Sequence, residues 1–201
     1  MRIEALFPMP LGIFEYPEAD AARRLVVEWV NAQARRYVQN DANITLEEFQ
    51  LHLQPCMSDL VQFFYASLRS FIEAQGQDVP EIGITQCWLN VNRPGERHHR
   101  HHHPNSFISG VYYLDSSPDA GSIAFHRPGL LELEPARLRG TPFTFDIWKE
   151  LPATGRLLLF PSRLEHSVEP NQSGRDRLSI SFNTMFRGTI GSHLQRVDFG
   201  R

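Results

Sequence analysis

From Gly83 onward the chain breaks into short runs: ITQCWLNV, FISGVYYLD, GSIAFHRP, TPFTFDIW, GRLLLFP and RLSISFNTMF. Each is rich in β-branched and aromatic residues, and Gly, Pro, Asn or Asp punctuates the spaces between them. Such residues fit a pleated, half-buried surface, and the punctuation supplies turns. Many short strands with few helices between them point to a β-sandwich or barrel of the jelly-roll kind. Residues 83–186 are therefore expected to form a mainly β core.

The first eighty residues have a different texture. From Ala19 to Gln39, Leu25, Val26, Trp29, Val30 and Val38 recur at helical spacing among charged residues. A second helix is expected from Ser58 to Gln75, with Leu60, Val61, Phe64, Leu68, Phe71 and Ile72 on one stripe. Gly76 closes it, and Ser58 or Asp59 is a candidate cap. The helices should cover one face of one sheet, so that residues 1–80 support the β core within a single domain of 1–201.

Composition narrows the function. The net charge of −3 gives no electrostatic reason to expect nucleic acid or a membrane surface as partner. Two cysteines, Cys56 and Cys87, allow neither a disulfide framework nor a cysteine zinc site and suit a reducing cytoplasm. The N-terminal MRIEALFPMPLGIFEYPEAD lacks the long apolar stretch of a signal peptide. No run approaches the length needed to span a bilayer.

The chemistry concentrates in RHHRHHHPNSFISGVYY, residues 97–113, which holds five of the nine histidines. A strand alternates its faces, so an extended 99–103 puts His99, His101 and His103 together and turns His98 and His102 away. His101 and His103 form an H-x-H pair, with His99 one step further out. His166 follows GRLLLFPSRLE and is the best candidate for a third ligand. Three imidazoles suit a first-row transition metal with positions left open. The bland alternative is a solvated histidine patch, but Gly95 stands before the first pair and Gly155 before His166, a repeated turn-then-ligand order. Arg177, with Ser179 on the same strand face, follows His166. A guanidinium can grip a carboxylate bidentately. Arg177 would then hold the far carboxylate of a metal-chelating dicarboxylate, unless it forms a salt bridge with Asp176 or Glu169.

Four ordered blocks carry a resemblance: Trp88-Leu89-Asn90, His101 to Tyr113, Gly155 to His166 and Arg177 to Asn183. They resemble the 2-oxoglutarate/Fe(II)-dependent oxygenases of the double-stranded β-helix superfamily, in particular a bacterial and phage family with W-x-N, H-x-H-P-x-S-x-x-S-G-V-Y-Y, F-P-S-x-x-x-H and R-x-S-x-x-F-N signatures. The resemblance implies Fe(II) held by His101, His103 and His166 as the catalytic centre. It implies Arg177, supported by Ser179, as the clamp for the C5 carboxylate of 2-oxoglutarate. Asn90 falls where AlkB-like members have a cosubstrate-binding Asn. Asn92 stands where they have Tyr, and the Tyr113 phenol could substitute. The implied reaction uses O₂, releases succinate and hydroxylates a C–H bond of a small-molecule or peptide substrate. His103 occupies the position where the superfamily has a carboxylate, which leaves the site one charge more positive. Asp115, Asp119 and Glu165 lack the spacing to replace it.

Two other readings fit parts of the pattern. A cupin-type metalloprotein shares Gly95, His101 and His103 but lacks the cupin Glu and gives Arg177 no role. A non-catalytic metal or 2-oxoglutarate sensor would keep the site without the oxidation. Trp148, Arg163 and the 127–140 segment are candidates for the pocket mouth.

Overall fold

The computed structural model describes residues 1–4, 6–32, 37–39, 44–46, 48–78, 81–129, 140–141 and 143–200. Strand β1 (Gly12–Glu15) precedes helix α1 (Ala19–Ala32), short strands β2 (Tyr37–Gln39) and β3 (Ile44–Leu46), and helix α2 (Ser58–Glu73). The core strands are β4 (Ile82–Asn92), β5 (His98–His101), β6 (Ile108–Asp115), β7 (Ile123–His126), β8 (Ile147–Glu150), β9 (Arg156–Pro161), β10 (His166–Val168) and β11 (Arg177–Phe186). A small hairpin of β12 (Thr189–Ile190) and β13 (Val197–Asp198) follows.

Seven strands form one sheet in the order β1-β9-β6-β11-β4-β3-β2, and four form a second in the order β5-β10-β7-β8. Strand neighbours run antiparallel throughout both sheets. This is the jelly-roll, double-stranded β-helix arrangement expected for 83–186, with helices on one side of the larger sheet.

Period-two alternation feeds two cores from the same strands. Tyr112 and Leu114 of β6, Leu157 and Leu159 of β9, and Ile180 and Phe182 of β11 join Val26, Val30, Phe64 and Leu68 of the helices. Tyr113, Leu158 and Phe160, one residue out of step, pack with Ile123, Phe125 and Leu164 in a second core. A strand buried on both faces reads as a continuous apolar run, which is why GRLLLFP does not alternate. On β11 the second face changes character, because Arg177, Ser179 and Ser181 line a cavity between the sheets.

The helical expectations need two corrections. The first helix ends at Ala32, not Gln39. Residues 33–36 lie outside the described set, and Val38 sits in β2 opposite Thr45. Neither Ser58 nor Asp59 caps α2 through its side chain; Met57 precedes the helix, and the Ser58 N–H bonds back to the Pro55 carbonyl. The preceding single turn of 3₁₀ helix already supplies the chain direction that a cap would otherwise fix. Gly76 stands just beyond the helix with φ of 69°, as expected for its C-terminus.

Gly110 shows how tightly the helix-facing core closes. A Cβ at that position would lie 2.2 Å from Cζ of Phe182. The Phe182 ring cannot retreat, since Phe64 stacks on it at 4.7 Å. Gly110→Ala should therefore destabilise the protein by about 1–3 kcal/mol through overpacking. Urea unfolding should show a lower midpoint with an unchanged m-value.

Candidate active site

The small sheet sets the histidines. His166 lies opposite His101, and Val168 lies opposite His98. Three steps along β5 thus match two along β10, which is a β-bulge with one extra residue on β5. The bulge resets the parity of the strand. His98 therefore lines the cavity beside His101 rather than pointing away, while His99 and His102 are exposed. The expectation that His98 faces outward is overturned by this pairing irregularity.

His101, His103 and His166 converge. Their ring centroids are 5.0, 4.3 and 5.2 Å apart, and one potential ligand nitrogen from each lies within 4.8 Å of the others. His101 Nδ1 faces the His99 carbonyl at 2.8 Å, and His166 Nδ1 faces the Leu164 carbonyl at 2.9 Å. A carbonyl only accepts, so both rings donate Nδ1–H and keep Nε2 as a lone pair. Such partners fix ring orientation at metal sites.

His103 lies beyond the end of β5 and is held through its backbone, whose N–H donates to the Ser162 carbonyl at 2.9 Å. The Ser162 hydroxyl donates to Ser106 Oγ and shares a hydrogen bond with Ser109 Oγ, both at 2.8 Å. Ser109 also donates to Asn183 Oδ1 at 2.8 Å. In the sequence these residues stand out only as letters of S-x-x-S-G, F-P-S and F-N. Together they form a buried polar network that ties three strands to the His103 segment, and the available signal was small hydroxyls on otherwise apolar strands.

Arg177 is only 3% exposed. One terminal nitrogen donates to the Ala120 and Gly121 carbonyls at 2.8 and 3.1 Å, while its buried Nε has no partner. No ion pair among the described residues includes it, so the salt bridge to Asp176 or Glu169 does not form. Directly opposite on β4 stands Asn92, 1% exposed, whose Nδ2 is also without a partner. Asn90, one step along the same face, is occupied instead. Its Oδ1 accepts from Trp88 Nε1 and Thr45 Oγ1, and its Nδ2 donates to Ser181 Oγ. Ser179 and Tyr113 line the same cavity of about 70 Å³. Burial pushes the Tyr113 phenol up to about 12, so it stays protonated as a donor, and Arg177 partly opposes that shift.

The remaining candidate residues lie elsewhere. Asp115 pairs with Arg23 and Arg175, Asp119 accepts from Ser117, and Glu165 pairs with Arg100. Trp148 and Arg163 are exposed and do not line the cavity, and most of 127–140 lies outside the described residues.

Burial is the main force on the imidazoles. It pushes His166 down to about 3 and His98 and His103 to about 4, with mutual repulsion among the rings adding to it, and it lowers His101 too. All are neutral near pH 7. Their folded values lie below the unfolded value near 6.5, so the unfolded chain binds more protons between the two. The metal-free protein should keep full stability above about pH 6.5 and lose it as pH falls toward 4 and then 3. Urea midpoints measured between pH 7 and pH 4 check this.

The jelly roll thus brings three converging neutral imidazoles and a buried guanidinium without an ion-pair partner among the described residues to one cavity. Residues 86–183 match the sequence model of the family described as "Putative 2OG-Fe(II) oxygenase". Over this segment, just under half of the chain, the sequence is that of a 2-oxoglutarate/Fe(II)-dependent oxygenase family, a family of oxidoreductases. The match supports Fe(II) and 2-oxoglutarate as cofactors and an oxygenase as the activity. No curated protein matches the chain in sequence. Among solved structures, a Pseudomonas putida prolyl-4-hydroxylase is 17% identical with a TM-score of 0.63, covering 91% of this chain and 96% of its own. A 2OG-Fe(II) oxygenase family oxidoreductase from Burkholderia pseudomallei is 17% identical with a TM-score of 0.57, over 86% and 84%. HygX from Streptomyces hygroscopicus, solved with nickel, 2-oxoglutarate and hygromycin B, is 14% identical with a TM-score of 0.59, over 88% and 82%. These likenesses establish the shared fold. No helix among the described residues is long and apolar enough to cross a membrane.

Proposed function

We propose that His101, His103 and His166 hold the Fe(II), and that Arg177, Asn92 and Ser179 hold the distal carboxylate of 2-oxoglutarate, in an enzyme that hydroxylates a substrate C–H bond. The observation that carries this reading is the buried Arg177, which lines the histidine cavity and whose guanidinium has a buried Nε without a partner and no ion pair among the described residues. A buried charge without a counter-ion is costly, and a carboxylate entering the cavity removes that cost. The donor set fits the metal too, since neutral imidazoles suit iron and its neighbours. When bound, iron and 2-oxoglutarate supply the oxidising power, using O₂.

The chain's own part is positioning. The Ala120 and Gly121 carbonyls anchor one end of the guanidinium, while its buried Nε has no partner. Asn92 adds an amide N–H from across the β4–β11 pair, and Tyr113 remains a neutral donor beside Arg177. Asn90 plays a different part, tying Trp88, whose ring meets His103 edge-on at 6.1 Å, to Ser181 of the neighbouring strand. A cytoplasmic setting fits the two free thiols.

Calorimetric titration of 2-oxoglutarate into the metal-loaded protein tests the assignment. Asn92→Ala removes a bond to a charged group and should weaken binding roughly 10–150-fold. Asn90→Ala should lower thermal stability and change 2-oxoglutarate affinity far less. An unchanged affinity in Asn92→Ala, with the loss appearing in Asn90→Ala, would reverse the two roles. Succinate release on adding O₂ to the loaded protein distinguishes an oxygenase from a binding module.

A further inference from the structure

Two imidazole triangles share one corner. The inner one, His101, His103 and His166, has centroid separations of 5.0, 4.3 and 5.2 Å. The outer one, His98, His99 and His101, has separations of 4.8, 4.3 and 5.3 Å, and its potential ligand nitrogens also lie within 4.8 Å of one another. The bulge on β5 creates this second triangle, because it brings His98 to the side of His101 and leaves His99 in solvent against the His98 ring. Glu165, the acid opposite on the loop before β10, is already paired with Arg100, so the donors offered are nitrogens. His101 donates Nδ1–H to the His99 carbonyl and so has one lone pair, on Nε2, for one ion.

We infer that β5 carries a second metal position, formed by His98, His99 and His101, which takes Zn(II) and competes with the inner set for His101. The competition rests on the inner set being the iron centre; the outer position itself does not. Three imidazoles with open solvent positions suit a four-coordinate zinc completed by water. Zinc also outranks Fe(II) at nitrogen sites in the usual affinity order of divalent metals. Zinc held at the outer position withdraws His101 from the inner set, so the exposed end of the strand acts as an inhibitory metal site.

A four-way zinc titration of the full chain, followed by calorimetry, tests this. The native protein, His99→Ala and the double variant His103→Ala/His166→Ala should each bind one equivalent, and the triple variant carrying all three substitutions should bind none. Two equivalents in the native protein would overturn the shared ligand. No binding in the double variant, with one equivalent retained in His99→Ala, would remove the outer position and leave the iron-site reading intact. The converse, zinc lost in His99→Ala and kept in the double variant, would sustain the outer position and remove the inner one. Should the double variant not fold, zinc displacement of bound Mn(II) in the native background, read from the Mn(II) EPR signal, serves instead. His99→Ala should slow that displacement at least several-fold, and an unchanged rate overturns the proposal.

Discussion

Replacing Arg177 with Met should weaken 2-oxoglutarate binding by roughly 10–150-fold, the worth of a charge-assisted hydrogen bond. The effect on the ligand-free protein should be small, because two changes oppose each other. Methionine relieves the burial of a charge that has no counter-ion, worth several kcal/mol. It also orphans the Ala120 and Gly121 carbonyls, at about 1–3 kcal/mol for each buried group left unsatisfied. The clear signature lies in ligand-induced stabilisation. At a 2-oxoglutarate concentration 100 times the native Kd, the native protein gains about 2.7 kcal/mol. A variant with 100-fold weaker binding gains only about 0.4 kcal/mol under the same conditions. Thermal melts with and without 2-oxoglutarate read this directly. Arg177→Lys keeps the charge but loses the planar fork, so it should fall between the two. Equal ligand shifts in native and Met proteins would sink the carboxylate-clamp role.

The fold was legible where burial alone decides the pattern. GRLLLFP reads as a strand because β9 serves both cores, and FISGVYYLD because Tyr112 and Tyr113 enter opposite ones. The helix stripes were legible for the same reason, up to the point where the chain leaves the helix. Val38 continues a helical spacing by coincidence, and its place in β2 comes from pairing with β3. The site was legible in its residue types and their order, since His101, His103, His166 and Arg177 all face one cavity. What escaped depends on neighbours distant in sequence. The position of His98 follows from a bulge against β10, and no local signal in RHHRHHH marks it. Asn90 and Asn92 share a strand face, so parity cannot rank them. Only the arrival of Thr45, Trp88 and Ser181 around Asn90 shows which amide is already engaged.

The largest expected loss belongs to His166→Ala. Disturbing a residue that merely orients a metal ligand costs about 10–100-fold in metal affinity, so removing a ligand should exceed that. His166 is 4% exposed and its ring is fixed by the Leu164 carbonyl. His103→Asp should behave differently, because it exchanges one ligand for another. A carboxylate oxygen suits Mn(II) better than an imidazole does, whereas imidazole suits Ni(II) and Zn(II). The ratio of Ni(II) to Mn(II) affinity should therefore fall in His103→Asp while metal binding persists. The same substitution lowers the charge of the loaded site by one unit, so attraction for the 2-oxoglutarate dianion weakens. Its 2-oxoglutarate Kd should rise, although Arg177 and Asn92 are untouched. The His103 backbone bond to Ser162 is independent of the side chain, so the loop should stay in place. A variant with native metal preference and native 2-oxoglutarate affinity would mean that His103 does not touch the metal. A shift in both, with His166→Ala losing Mn(II) from the inner set, is the pattern that three imidazoles around one ion require.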